Sequence, residues 1–393
     1  MSKTPALDQT RIVSILEQLV SFDTQNPPGR EAEAAAWLKA EMTAMGFRAD
    51  TSEVVPNRMN VVGIVENGPG PSFAFNTHID VVPAGDGWTG DPFRLRSADD
   101  RLYGRGACDA KGPMAAMLEA MRWLAGNRNH WSGTLLGVFV ADEEASSRGA
   151  KAYVKTEPRI DYCMIGEPTS CTTYSAHKGS MRPLVRIHGR TAHSGMPDLG
   201  VNAILKSAPL LHLVAEEHRR IQSLSHPLVG SPSLTITRAS AGIADNVVPD
   251  CCDLLLDRRM IPGENEDTVK CQIADLVARA SKEAETAMEI VELKPTTGGA
   301  TETASDHPIV IATQNACRDH HGRETALSGF QGGCDLVHFR SIGAQGVVLG
   351  PGALAVAHQP NEYVPVPELV MAAAIYRDVA LAMLGEGRTP ARG

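Results

Sequence analysis

The stretch F-A-F-N-T-H-I-D, residues 73–80, decides how the rest of the chain is read. Its mostly apolar run ends at His78 and Asp80, and V-V-P-A-G follows at 81–85. A short apolar run bounded by turn residues reads as a buried strand. Side chains two apart on a strand face the same way, so His78 and Asp80 can work together at its end. The imidazole could bind a metal through one ring nitrogen while Asp80 accepts a hydrogen bond from the other, which fixes the tautomer and raises ligand basicity. Taken alone, a His-x-Asp corner is more often an ordinary strand end. The acids and histidines further along the chain decide between the two.

At 393 residues the chain exceeds what one core holds, roughly 250–300 residues, so two domains are expected. Hydrophobic content of 43% and charged content of 21% are those of a globular protein. A net charge of −9 argues against nucleic acid or an anionic membrane as partner. The eight cysteines are scattered without a C-x-x-C pair, so neither a disulfide framework nor a thiolate zinc site is expected. The opening M-S-K-T-P-A-L-D-Q-T-R has no apolar leader core, and no run of about 18 apolar residues occurs. The expectation is a soluble, cytoplasmic protein without a membrane or nucleic-acid partner.

Helical apolar spacing marks residues 7–22 and 31–45, and strands are expected at 54–65 and 72–77. A long irregular loop rich in Gly, Asp and Arg spans 85–107; such a loop inside a compact domain is often functional. A helix opens at Pro113, a buried strand covers 135–140, a helix 147–155 and a short strand 161–165. This alternation indicates an α/β layered sheet, in which ligands gather at strand ends. From about Gly179 the character changes. Strands at 181–188, 234–240, 246–258 and 287–293, with helices at 201–220 and 265–284, fit an α+β sandwich. After a linker at 295–303, α/β character returns, with helices at 307–320, 335–342 and 366–384 and a strand at 345–349. The expected organisation is a discontinuous catalytic domain, residues 1–178 and 295–393, with an inserted domain at 179–294.

Five places in the α/β half carry acids or histidines: His78/Asp80, Asp109, Glu143-Glu144, Glu167 and His358. The first four fall at or just after strand ends. Two histidines and three carboxylates without cysteine suit zinc, manganese or cobalt. So many ligands exceed one tetrahedral ion and suggest two metals bridged by a carboxylate. Two adjacent acids cannot easily serve one ion, so one of Glu143 and Glu144 can bind metal while the other acts as general base on water. Alone, the pair would be a solvated acidic turn.

The motifs S-F-D-T-Q-N-P-P-G (21–29), H-I-D-V-V-P (78–83), G-R-G-A-C-D-A-K-G (104–112), D-E-E (142–144), G-E-P-T (166–169) and A-H-Q-P-N-E-Y (357–363) span nearly the whole chain. In this order they resemble the co-catalytic dizinc amidohydrolases, the family of acetylornithine deacetylase, succinyl-diaminopimelate desuccinylase, carboxypeptidase G and aminoacylase-1. The resemblance implies a zinc-peptidase-like layered sheet with an inserted dimerisation or lid domain. It implies that His78 and Glu167 bind one metal, Glu144 and His358 the other, and Asp109 bridges them. Asp80 would orient His78, Glu143 would be the general base, and the Asp109–Ala110 peptide bond would be cis. The two divalent ions would be zinc, with cobalt or manganese as alternatives.

In the inserted domain, H-G-R-T-A-H-S-G (188–195) resembles the segment whose histidine, here His193, reaches the partner subunit's site and stabilises the oxyanion. D-N-V-V-P-D (245–250) resembles the segment with a substrate-contacting asparagine, here Asn246. D-R-R-M-I-P-G (257–263) resembles the segment that grips a substrate carboxylate, with the register favouring Arg259 over Arg258. Gly350-Pro351-Gly352 lets backbone, at Gly352, approach substrate closely. Cys108 reads as packing. The expected activity is removal of an acyl group from an N-acyl L-amino acid, in the manner of acetylornithine deacetylase, by a homodimer formed through 179–294. The alternatives are a dipeptidase or carboxypeptidase of the same family, or a catalytically silent dimeric paralogue.

Overall fold

The computed structural model describes residues 6–387. The described residues divide into two compact units, one of residues 6–176, 302–330 and 334–387, the other of 177–301 and 331–333.

The first unit is built on strand Ser72–His78, whose seven residues are all buried. Phe73 and Phe75 enter one core and Ala74 another, the period-2 alternation of a strand covered on both faces. The strand lies parallel to Trp131–Val140 on one side and to Tyr162–Ile165 on the other, and the latter is parallel to Gln345–Val348. Helices Gln9–Ser21, Lys111–Gly126, Pro308–His321 and Val366–Met383 share the Phe73/Phe75 core. On the other face, Leu336 and Phe339 of the short helix Leu336–Ser341 pack with Ala74, Val138 and Ile165. All four parallel strands therefore end at one edge of the sheet, where the functional loops begin.

Two expectations from the sequence are corrected here. Residues 54–65 do not form one strand. Arg48–Val55 and Arg58–Asn67 form an antiparallel hairpin turned at Pro56-Asn57, with Asn57 at φ 65°. A proline inside a run breaks the ladder it would otherwise continue. The 85–107 loop is also more ordered than expected. Arg96–Ala98 and Arg101–Tyr103 pair with each other, and the latter pairs with Tyr363–Pro365.

The second unit has a four-stranded antiparallel sheet in the order Ser233–Ala241, Cys251–Met260, Gly179–His188, Met288–Lys294. Helices Ala208–Ile221 and Glu266–Ala284 bury Leu210, Leu213, Val214, Val269, Ile273 and Leu276 in its core. Residues 246–250 are not strand, contrary to expectation; they form a loop before Cys251. The helix expected at 201–220 is broken at Ser207. No helix among the described residues is long and apolar enough to cross a membrane.

Candidate metal centre and active site

Each of the six metal and base candidates lies at a sheet edge or in a loop that follows it. His78 ends its strand, Glu143 and Glu144 follow Val140, Glu167 follows Ile165, and Asp109 precedes helix Lys111–Gly126. His358 follows the short turn Leu354–Val356 and sits at φ 63°. The fold brings them together. Asp109 Oδ1 lies 3.1 Å from His78 Nε2, and Oδ2 lies 3.3 Å from His358 Nε2. Glu144 Oε2 is 3.1 Å from His358 Nε2, and Glu167 Oε1 is 3.9 Å from His78 Nε2. Donor atoms of His78, Asp109 and Glu144, and of His78, Glu143 and Glu167, each lie within 4.8 Å of one another.

These spacings fit a metal. Two ligands about 2.0–2.1 Å from one tetrahedral ion stand about 3.3 Å apart. The donors are imidazole nitrogen and carboxylate oxygen, which suit zinc, cobalt or manganese. Glu144 Oε1 is buried without a hydrogen-bond partner, an acceptor waiting for a cation. Charge agrees: four buried carboxylates face two imidazoles. Burial and the charge of Glu167 push the Glu143 carboxyl well above the usual range, and burial and the charge of Asp109 do the same to Glu167. Hydrogen bonds to Asp109 and Glu144 drive His358 up as well. Positive charge placed among these groups would offset the mutual repulsion of the carboxylates.

Supporting groups surround the donors. His78 Nδ1 donates to the main-chain oxygen of Asp80 at 2.8 Å, and the Asp80 carboxylate is 3.8 Å away. The carbonyl, and not the carboxylate the sequence suggested, therefore sets the tautomer. The Asp80 carboxylate instead accepts from the backbone N–H of Glu143 at 3.1 Å and of Glu144 at 3.3 Å. Glu362, unmarked by any local signal inside A-H-Q-P-N-E-Y, accepts from the N–H of Cys108 at 2.8 Å and of Asp109 at 2.9 Å. Arg105 pairs with the other Glu362 oxygen at 2.5 Å. The Asp109–Ala110 bond is cis, as the resemblance implied. Asp335 is also buried near the donors, and burial raises its carboxyl to about 6. Nothing local in G-G-C-D marked it.

Cys108 is buried, with its Sγ 3.5 Å from the oxygen of Ala353. Gly352 has φ +81°, and a Cβ there would stand 2.5 Å from Cys108 Sγ. Backbone conformation and packing thus already require a glycine at 352.

The remaining three candidates belong to the second unit. His193 and Asn246 are exposed neighbours: Ser194 N–H donates to the Asn246 oxygen at 2.9 Å, and His193 bridges Val247. Gly195 N–H donates to His193 Nδ1 at 3.0 Å, which makes Nε2 the protonated nitrogen of the neutral ring. Arg258 is buried and paired with Glu264, a structural role. Arg259 is half-buried, with its Nε 2.7 Å from Asp257 Oδ1.

Two histidines and four carboxylates gather where four parallel strands of a mixed sheet end, a donor set that could hold metal ions. Residues 74–382 match the sequence profile of peptidase family M20/M25/M40. An acetylornithine deacetylase of Vibrio cholerae is 31% identical over 354 residues, 87% of this chain and 89% of that one. A metallo-carboxypeptidase of the M20 family from Sulfolobus solfataricus has the same fold, with a TM-score of 0.78 at 17% identity over 95% of this chain and 98% of that one. A dinuclear metal-binding M20 peptidase of Bacillus subtilis matches with a TM-score of 0.71 at 16% identity, covering 96% and 98%. The chain belongs to peptidase family M20/M25/M40.

Proposed function

We propose that the protein removes the acyl group from an N-acyl L-amino acid, with N-acetylornithine as the leading substrate. His78 and Glu167 would hold one divalent ion, Glu144 and His358 a second, and Asp109 would be shared. The observation that carries this reading is Asp109, whose two oxygens each face a different histidine, at 3.1 and 3.3 Å. Bound there, the ions would act as Lewis acids on the scissile carbonyl and on the attacking water. Glu143 stands among the donors, within 4.8 Å of donor atoms of His78 and Glu167, where its carboxylate can serve as the general base. Its carboxylate takes the water's proton and returns it to the departing amine nitrogen. Asp80 keeps this carboxylate in place through the Glu143 N–H. The substrate class rests on the likeness to acetylornithine deacetylase.

The second unit acts in this reading as a dimerisation domain and lid. Its support is the edge strand Ser233–Ala241, with five exposed residues at its end, and the exposed apolar side chains Leu205 (72%), Leu199 (64%) and Met196 (57%). Unpaired edges and apolar patches of this kind mark association surfaces. His193 Nε2–H would supply an oxyanion donor in the partner's site, Asn246 beside it would contact substrate, and Arg259 would meet the substrate carboxylate.

The test is hydrolysis of N-acetylornithine, N-succinyl-diaminopimelate, N-acetylmethionine and several dipeptides, by metal-free protein and after addition of zinc, cobalt or manganese. Metal-dependent turnover of one N-acyl amino acid supports the reading. Turnover of dipeptides alone moves it to peptidase, and no turnover with two ions bound per chain moves it to a silent paralogue.

A further inference from the structure

Beneath the donor atoms lies a cluster of buried charge that the reaction itself does not use. Arg58 is 3% exposed, and Glu31, Asp80 and Asp142 are completely buried. Glu31 clamps Arg58: its two oxygens accept from Arg58 Nε at 2.8 and 2.7 Å, and Oε1 lies 2.6 Å from Nη2. The clamp leaves the rest of the guanidinium pointing at the site. Nη1 is 3.1 Å from Asp142 Oδ1 and donates to Asn26 Oδ1 at 3.3 Å, while Nη2 is 3.8 Å from Asp80 Oδ2. Asn26 ties the two acids together, donating to Asp80 Oδ2 at 2.8 Å and to Asp142 Oδ1 at 3.0 Å.

Both acids act on the turn that carries the chemistry. Asp142 immediately precedes Glu143 and Glu144 and holds φ 68°, a conformation that non-glycine residues enter at some cost. Arg148 and Ser146 hold its other oxygen at 2.6 and 2.5 Å. Asp80 receives the N–H groups of both glutamates. A buried ion cluster is a poor stabilising device, because desolvation offsets most of its attraction. A forked guanidinium held by one acid and aimed at two others is a good orienting device.

We infer that Arg58, held by Glu31, is a positioning residue that sets the Asp142–Glu144 turn through Asp142 and Asp80, and so aims Glu144 at the metal and Glu143 at the attacking water. Arg58 touches none of the donor atoms and is not a catalytic residue. The inference rests on the reading of Glu144 as a ligand and Glu143 as the base.

The experiment compares wild type with Arg58→Met, Arg58→Lys and the double variant Glu31→Met/Arg58→Met, each stripped of metal and titrated with zinc against a chelating dye, then assayed. Replacing both members of a buried pair by apolar groups is often neutral for stability. The double variant removes one buried charge of each sign, so it should melt closer to wild type than Arg58→Met while lacking the guanidinium that Asp142 and Asp80 face. Its affinity for the ion that Glu144 would hold should drop about 10–100-fold, and kcat should fall by a similar factor, the usual cost of removing a group behind the ligands. KM should change far less. Arg58→Lys keeps the charge but loses the fork, so it should rescue melting and only part of the affinity. A double variant that melts, binds zinc and turns over as wild type overturns the inference while leaving the function standing. If the double variant does not fold, Arg58→Lys with wild-type affinity and kcat overturns it equally. A wild-type protein that binds no zinc sinks both.

Discussion

Replacing Gly29 by alanine measures how tightly the floor of the site is packed. Gly29 has φ +84°, where an L side chain costs about 1–2 kcal/mol. An added Cβ would also stand 2.2 Å from both Cζ and Nε of Arg58. The end of a long side chain can ordinarily swing away, but this one is held by Glu31 at 2.7 and 2.8 Å, Asn26 at 3.3 Å and Asp142 at 3.1 Å. Hydrogen bonds to charged groups contribute roughly 1.5–3 kcal/mol each. Losing one on top of the backbone cost gives about 3–5 kcal/mol. At about 2–4 °C per kcal/mol for a large domain, Tm should fall roughly 6–20 °C. The control is Gly68, which has the same φ of +84° with nothing within 4 Å of its added Cβ. Gly68→Ala pays the backbone cost alone. Thermal denaturation of both variants separates the two contributions. Equal shifts for Gly29→Ala and Gly68→Ala would refute the claim that Arg58 is immobile.

Further outcomes follow from single groups. Glu143→Gln should retain bound metal and melting temperature while kcat drops about 10²–10⁴-fold, read by metal analysis beside steady-state kinetics. Cys108→Ser should leave kcat unchanged, because burial pushes the thiol well above its ordinary range and withholds the reactive thiolate. His177 is buried with Nδ1 on the Lys178 oxygen at 2.9 Å, and burial lowers it to about 4. An unfolded histidine titrates near pH 6.5, so the unfolded chain binds the extra proton first as pH falls. Its contribution is complete above about pH 6.5 and is lost towards pH 4, up to about 3 kcal/mol. Urea unfolding of the metal-free protein at pH 7 and 4.5 should show a smaller acid loss in His177→Gln; an identical loss would argue against a buried neutral ring.

His78, Glu143, Glu144 and Glu167 were legible because each sits next to a strand whose apolar run is visible in one dimension, whereas Asp109 and His358 stand in loops and were legible only through the motifs around them. Phe73–Phe75 announces His78, and the run to Val140 announces Glu143 and Glu144. What supports the donors was not legible. Glu31 and Arg58 are 27 positions apart, and Arg105 and Glu362 are 257 apart; each alone looks like a surface charge. The spacing of His78 and Asp80 points to the right neighbourhood and the wrong atom, since residue spacing does not tell a carbonyl from a carboxylate. The hairpin at Pro56-Asn57 did have a local signal, a proline in mid-run, which the apolar residues on both sides obscured. The loop at Asn246 reads as strand although the strand begins five residues later, because the loop is nearly as apolar as the strand.

The most direct measurement is the hydrolysis of N-acetylornithine by protein stripped of metal and then given zinc in steps, with bound zinc counted at each step. The account predicts no turnover in the stripped protein and activity that climbs with bound zinc to a plateau at two ions per chain. Undiminished hydrolysis by protein shown to hold no metal would contradict it.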